Sequence, residues 1–244
     1  MKLAFSTLAC PQWSTEQVVS NAFNLGYDAI ELRLLDGAVI DPIKDAAKVV
    51  QAVKLSRSSG LEVCALDTSS RVNQPDDEGR AQTLADLRAW FRLAQEVQVP
   101  LLRIFGGSGK SDTQPQPTEQ EADRQVIDFL GQIAQEAERV QVTVALETHD
   151  SFSSARRVGN ILKAVNSQFV VALWDSQHPY RVGETAEEVY AYLGHNNIVH
   201  VHVKDALRIG PTEKDWQLTL LGEGEVPVRE QLQLLQQNGY NGYA

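Results

Sequence analysis

Short apolar runs alternate with longer amphipathic stretches from one end of the chain to the other, and that rhythm limits the fold more than any other feature. Strand-like runs are read at Leu3 to Thr7, Ala29 to Leu34, Leu61 to Leu66, Leu101 to Phe105, Val142 to Glu147, Val170 to Asp175 and Ile198 to Val203. Between them the periodicity predicts helices at Thr15 to Leu25, Asp45 to Ser58, Glu78 to Val97, Thr118 to Val140, Ser154 to Val165, Ala186 to Leu193 and Val228 to Gln237. Repeated βα units imply a parallel sheet with helices packed on it. An open doubly wound sheet of five or six strands is the alternative. Seven evenly spaced units in 244 residues, with an eighth strand beginning at Tyr243, fit a single (β/α)8 TIM-barrel domain over residues 1–244 better.

Boundary residues agree with that pattern. Ser14 with Thr15 and Glu16, Asp41 with Pro42, and Thr118 with Glu121 read as helix starts, while Gly26, Gly60 and Gly239 follow helix ends. The one long loop, Gly106 to Pro117, follows the fourth strand, on the face where such barrels keep their active sites.

Charge narrows the partner classes. Lys and Arg total 22 against 32 Asp and Glu, a net charge of -10, and a surface of that sign repels phosphate backbones. Cys10 and Cys64 are far apart and form neither a CxxC nor a zinc-knuckle spacing, so reduced thiols are expected. The N-terminal apolar stretch is interrupted by Ser6 and Thr7, too short for an export signal, and no run approaches the roughly 20 apolar residues of a membrane span. The expected location is the cytoplasm.

The residues with chemistry stand at the carboxyl ends of strands. The fifth strand ends ALETHD with Glu147 and His149, the sixth LWDSQH with Asp175 and His178, and the seventh reads HVHVKDA with His200, His202 and Lys204. A side-chain period of two puts His200, His202 and Lys204 on one face. Two carboxylates and an imidazole on three successive strands suit a divalent metal such as Mn, Mg, Co or Zn, because buried carboxylates are costly unless paired or bound to a cation. The competing reading makes them internal struts, Glu147 paired with Arg103 and Asp175 with an Arg or Lys.

His149 is a candidate substrate contact from its loop. His200, one layer below His202, reads as a core histidine with a satisfied partner, and His195 as a loop residue. Glu31 and Arg33 share a face of the second strand and, with Arg103, suggest an internal ion pair. LGEGEVP lacks any phosphate-loop lysine and reads as a turn into the last helix. Trp13, Trp174 and Trp216 are candidates either for a pocket wall or for plain packing.

KLAFSTLA, GYDAIELR, LLRIFGG, ALETHD and above all LWDSQH and HVHVKDA resemble the sugar isomerase/epimerase group of the xylose isomerase-like barrel superfamily, which also holds endonuclease IV, hydroxypyruvate isomerase and inosose dehydratase. The resemblance implies a divalent-metal-dependent enzyme with Glu147, Asp175 and His202 as metal ligands, and His178 and Arg208 as substrate contacts. It further implies a fourth ligand, a Glu a few residues after a GY(D/N)GY segment; GYNGYA reaches Ala244 without one, so a chain continuing into that strand and a closing helix is the expectation. The implied activity is isomerisation or epimerisation of a small keto sugar or polyol through an enediolate, with Glu147 as an acid/base. Elimination of the inosose dehydratase kind and a non-catalytic sugar-binding role are the alternatives. An endonuclease is disfavoured, since the second and third strand ends offer Glu31, Arg33 and Asp67 but no His. The expected partner is a small sugar or polyol, with neither nucleic acid nor membrane; homo-oligomerisation is left open.

Overall fold

The computed structural model describes residues 1–74, 76–107, 118–212 and 215–244. Seven strands, β1 (Ala4–Ser6), β2 (Ala29–Leu32), β3 (Glu62–Arg71), β4 (Leu101–Phe105), β5 (Thr143–Glu147), β6 (Val170–Asp175) and β7 (Ile198–His202), form one sheet in chain order. All neighbouring pairs are parallel. Tyr243 bridges Lys2 on one side and His200 on the other. The Val201 N–H donates to the Tyr243 carbonyl (3.1 Å) and the Ala244 N–H to that of Lys2 (2.9 Å), so the first and last strands share one segment. This is the TIM-barrel architecture that the βα rhythm predicts.

Around the sheet lie α1 (Thr15–Asn24), α2 (Ala46–Ser58), α3 (Asp77–Val97), α4 (Glu119–Val140), α5 (Ala155–Val165), α6 (Gln177–Arg181), α7 (Ala186–Leu193) and α8 (Val228–Gln237). Ser14 with Gln17, and Thr118 with Glu121, form reciprocal capping boxes that satisfy two orphan N–H groups at each helix start. Gly26 and Gly60 follow α1 and α2 at φ of 80° and 84°, a conformation that a Cβ would strain. Asp41 is a correction. Its Oδ1 accepts from the N–H groups of Ile43 and Lys44 (both 2.9 Å), closing a turn, and the helix begins only at Ala46.

Strand alternation divides the core in two. Ala29, Ala65, Leu101, Ala145, Val171 and Leu173 fill the barrel interior. The opposite parity, including the fully buried Trp174, packs outward with the helices. Trp174 is therefore packing and not a pocket wall, since its neighbours Leu173 and Asp175 take the inward direction.

Three features lie outside the predicted elements. β3 runs on to Arg71, beyond Leu66. Short hairpins pair Leu34–Leu35 with Ala38–Val39 and Asp205–Arg208 with Trp216–Thr219. The helix α6 follows β6 directly. LGEGEVP is a turn into α8 as expected, and its organiser is Asp205, whose carboxylate accepts from the N–H groups of Ala206, Gly222, Gly224 and Val226 at 2.8 to 3.2 Å. Of the long loop after β4, only Gly106 and Gly107 fall within the described residues. Both cysteines are free thiols. Among the described residues no helix is long and apolar enough to cross a membrane.

Candidate metal centre and active site

Register brings the strand-end residues together. In the β6–β7 pair Asp175 stands opposite His202, and in the β5–β6 pair Glu147 stands opposite Leu173, two residues before Asp175 and of the same parity. Glu147, Asp175 and His202 thus share the inner face, and one ligand atom from each lies within 4.8 Å of the others. All three are the last residues of their strands.

The polar network around them is dense. His202 Nδ1 lies 3.0 Å from Glu147 Oε1, and its Nε2 lies 2.9 Å from Glu31 Oε2. The same Glu31 oxygen is 2.8 Å from His200 Nε2. Arg103 donates from Nη2 to Asp67 Oδ2 and from Nη1 to the Thr68 carbonyl, both at 2.9 Å, while its Nε lies 3.3 Å from Glu147 Oε2. Lys204 Nζ sits 2.5 Å from Asp175 Oδ2. The strut pairings Glu147–Arg103 and Asp175–Lys204 are therefore both present, alongside the convergence that a metal needs. Glu31 and Arg33 do not pair. Arg33 reaches across to β3, where its Nη1 donates to Ser69 Oγ (2.8 Å) and the Asp67 carbonyl (3.2 Å), and the histidines take Glu31 instead. His200 is the core histidine that its position suggests, with Glu31 as the partner of Nε2 and no hydrogen bond at Nδ1.

These contacts set the charge states. Burial would raise the Glu31 carboxyl, but the attraction of His202 and the hydrogen bonds of both histidines hold it well below its usual range. Glu147 is likewise held low, against its burial, by His202 and Arg103. Asp175 is held low against burial by Lys204. Asp67 goes the other way, its burial outweighing Arg103. Burial would lower His202, yet Glu31 and Glu147 on either side raise it well above the ordinary imidazole value.

One wall of the site is aromatic and imidazole. The His149 ring meets the His178 ring edge-on at 4.2 Å and Phe105 at 4.9 Å. His149 Nδ1 is 2.9 Å from Asp150 Oδ1, and Asp150 Oδ2 pairs with Arg71 at the end of β3. His178, on α6, has 7% exposure and no hydrogen-bond partner at either ring nitrogen. Burial pushes its pKa down to about 4, partly offset by Asp175, so the ring is neutral near pH 7. Arg208 stands apart from this cluster. It is exposed on the Asp205–Arg208 hairpin, with its guanidinium over Trp216, 5.2 Å from the ring centroid. Trp216 in turn packs edge-on against Tyr180 of α6 at 5.9 Å. Trp13 stacks on Phe5 (5.9 Å), and His195 pairs with Tyr190 (2.9 Å) in its loop.

Lys204, named from the sequence at the seventh strand end, is the lysine of the Asp175 strut, and Asp67, named at the third strand end without a role, takes Arg103; Asp205 has no reading from the sequence. HVHVKDA contains the signal for Lys204, which shares the parity of His202; Asp205 takes the opposite parity and a different job.

The donor set suits a divalent cation. Metal bonds of about 2.0 to 2.2 Å place opposite ligands about 4 Å apart, so the three groups close on one ion with small adjustments. Charge agrees: Glu31, Asp67, Glu147 and Asp175 are buried carboxylates, while the permanent cations paired with them are Arg103 and Lys204, and Arg33 reaches only the Asp67 carbonyl. The negative charge of Glu31 and Glu147 is what raises His202, and a bound cation would offset it in the same way.

Comparison with known proteins agrees with this geometry. Residues 19–244 match the family described as xylose isomerase-like TIM barrel. The L-ribulose-5-phosphate 3-epimerase UlaE of Escherichia coli is 29% identical over 177 residues, 68% of this chain and 56% of the epimerase. The chain thus spans about half the length of the curated relatives it matches. A crystal structure of IOLI protein with a bound zinc atom superposes with a TM-score of 0.81 at 19% identity, covering 100% of this chain and 87% of that one. D-psicose 3-epimerase with D-tagatose, from Clostridium cellulolyticum H10, gives 0.80 at 17% identity, covering 100% and 83%. With the barrel, its strand-end residues and a match across nearly its whole length, the chain belongs to the xylose isomerase-like TIM barrel family.

Proposed function

We propose that this protein is a divalent-metal-dependent isomerase or epimerase that moves a proton next to the carbonyl of a small keto sugar or related polyol. The observation that carries the proposal is the convergence of Glu147, Asp175 and His202 within 4.8 Å at three successive strand ends. The sugar class is supported by the relatives, which include a pentulose-phosphate epimerase and a ketohexose epimerase.

Glu147, Asp175 and His202 would hold the ion. A divalent cation there, Mn, Mg, Co or Zn, supplies Lewis-acid polarisation of the substrate carbonyl. Glu147 is held ionised by its neighbours, the form that accepts a proton from the carbon beside the carbonyl and leaves an enediolate. His178 is neutral and unpartnered, so its N–H is free to donate to the developing oxyanion. His149 edges the same space, and Arg208 on its hairpin would meet the outer hydroxyls. The strongly acidic balance disfavours nucleic acid as substrate.

The test is metal analysis of the purified protein, then a screen of ketoses and inososes with the metal restored, run in deuterated water. Epimerisation with deuterium entering at the carbon beside the carbonyl supports the proposal. Loss of water from the product assigns a dehydratase instead. Tight sugar binding without turnover assigns a binding protein, and salt-sensitive binding of duplex DNA overturns the substrate class.

A further inference from the structure

Glu31 takes no part in the donor set of Glu147, Asp175 and His202, yet it is buried in the barrel at 2% exposure. A carboxylate there costs several kcal/mol unless it is held. Arg33 does not hold it, being spent on Ser69 and the Asp67 carbonyl. Two imidazoles do: Glu31 Oε2 lies 2.8 Å from His200 Nε2 and 2.9 Å from His202 Nε2. An ionised carboxylate only accepts hydrogen bonds, so each imidazole must present its N–H at Nε2. By the same rule His202 Nδ1, 3.0 Å from the carboxylate oxygen Glu147 Oε1, also carries a proton in this structure; a cation held by Glu147 and Asp175 would displace that proton, while the one on Nε2 stays with Glu31.

We infer that Glu31 is a positioning residue for His202: it fixes the Nε2–H tautomer and turns Nδ1 toward Glu147 and Asp175. His200 completes the device. It lies two residues back on β7 with its ring nearly perpendicular to that of His202, at 84° and 5.5 Å between centroids, and clamps the same Glu31 oxygen. The inference rests on the metal reading of the Glu147–Asp175–His202 set, to which it adds the outer carboxylate. Such partners fix ring orientation and raise ligand basicity, and their loss lowers metal affinity about 10- to 100-fold. Glu31, His200 and His202 also group within 4.8 Å of one another. In that group both Nε2 atoms face the single oxygen Glu31 Oε2, at 2.8 and 2.9 Å, the arrangement of one carboxylate oxygen accepting from two rings.

Zinc affinity, measured by competition with a chromophoric chelator, tests this in the wild type, Glu31→Gln and Glu31→Ala. Glu31→Ala is expected to bind zinc about 10- to 100-fold more weakly, and Glu31→Gln, which keeps an acceptor oxygen, to lose less. Long-range proton–nitrogen NMR of the zinc-loaded wild type reads the tautomer without relying on any variant folding. A proton on Nε2 and a metal-shifted Nδ1 in His202 support the inference. Zinc on His202 Nε2, or unchanged affinity in both variants, overturns it while leaving the metal reading standing. A wild type that binds no divalent ion overturns both.

Discussion

The two sides of the barrel mouth are built to different standards. On the β2–β4 side the charges are almost completely engaged: Arg103 is shared between Asp67, the Thr68 carbonyl and Glu147, Arg33 is tied to β3, and Glu31 is clamped by two histidines. Asp67 Oδ1, Arg103 Nε and the Nδ1 of His200, one of the two rings on Glu31, are without hydrogen bonds there. On the β5–β7 side, Asp175 Oδ2 is ion-paired with Lys204 (2.5 Å), whereas His178 has no hydrogen bond at either ring nitrogen. Leaving a buried polar group unmade costs about 1 to 3 kcal/mol. A ring with both nitrogens open beside the proposed ligands is placed to meet something that binds. We read the charge-paired side as scaffold and the side with His178 as the working face.

If that division is right, substitutions on the two sides fail in different ways. Glu147→Gln should have the largest effect, because one side chain is both ligand and base: kcat/KM is expected to fall about 10⁴-fold, some 5.5 kcal/mol. Some stability should go with it, because the amide gives up the charge pairing with Arg103 and His202. An active Glu147→Gln enzyme would move the proton transfer to another residue. Arg103→Leu is expected to act chiefly on stability. It strands Asp67 at 1% exposure and is expected to cost about 3 to 5 kcal/mol in denaturant unfolding. A variant as stable as wild type would mean that Asp67 takes up a proton without penalty, a route its upward-shifted carboxyl makes the one to check by repeating the measurement at low and neutral pH.

His178→Ala probes the working face without touching a proposed ligand. Loss of the N–H proposed to meet the oxyanion is expected to lower kcat about 10²-fold, near 2.7 kcal/mol, while zinc affinity and unfolding free energy change little. A large stability loss would place His178 with the scaffold instead, and the comparison between the two sides would lose its main support.

Much of this division was legible in the sequence, though unevenly. Alternation fixes which residues point inward, so Glu147, Asp175 and His202 stand out as inward strand-end residues, while the resemblance, and not the pattern, singles them out as ligands. The two edges closed by Tyr243 follow from the same βα count. What alternation leaves undetermined is pairing across the barrel. Glu31 and His200 lie 169 residues apart and meet only because β7 and β2 face each other through the interior. Nor does local pattern show that Arg33 leans to β3, or that Asp205, beside the inward Lys204, turns to gather four backbone N–H groups. The hairpin after β7 escaped for a different reason: its strands are short, with Leu207, Leu218 and Ile209 exposed, so no buried face imprints a period.

That hairpin sets the smallest and sharpest test of where the working face ends. Arg208 is exposed, and its side chain rests on Trp216, which rests on Tyr180, two residues from His178 on α6. The chain of contacts links the hairpin to the His178 side of the mouth and not to the scaffold. An exposed arginine over a ring contributes about 0.5 to 1 kcal/mol, so Arg208→Ala should leave stability nearly unchanged. Its guanidinium is proposed to reach outer hydroxyls of the substrate, an interaction made equally in the ground and transition states. Removing it should therefore raise KM about 3- to 10-fold, on the order of 1 kcal/mol, with kcat preserved. Steady-state kinetics on the best sugar from the screen would read this directly. A fall in kcat of about 10²-fold instead would bring Arg208 among the groups that stabilise developing charge, and the working face would then extend from the strand ends onto the hairpin. Unchanged KM and kcat would leave Arg208 as a clasp on Trp216, with the face ending at α6.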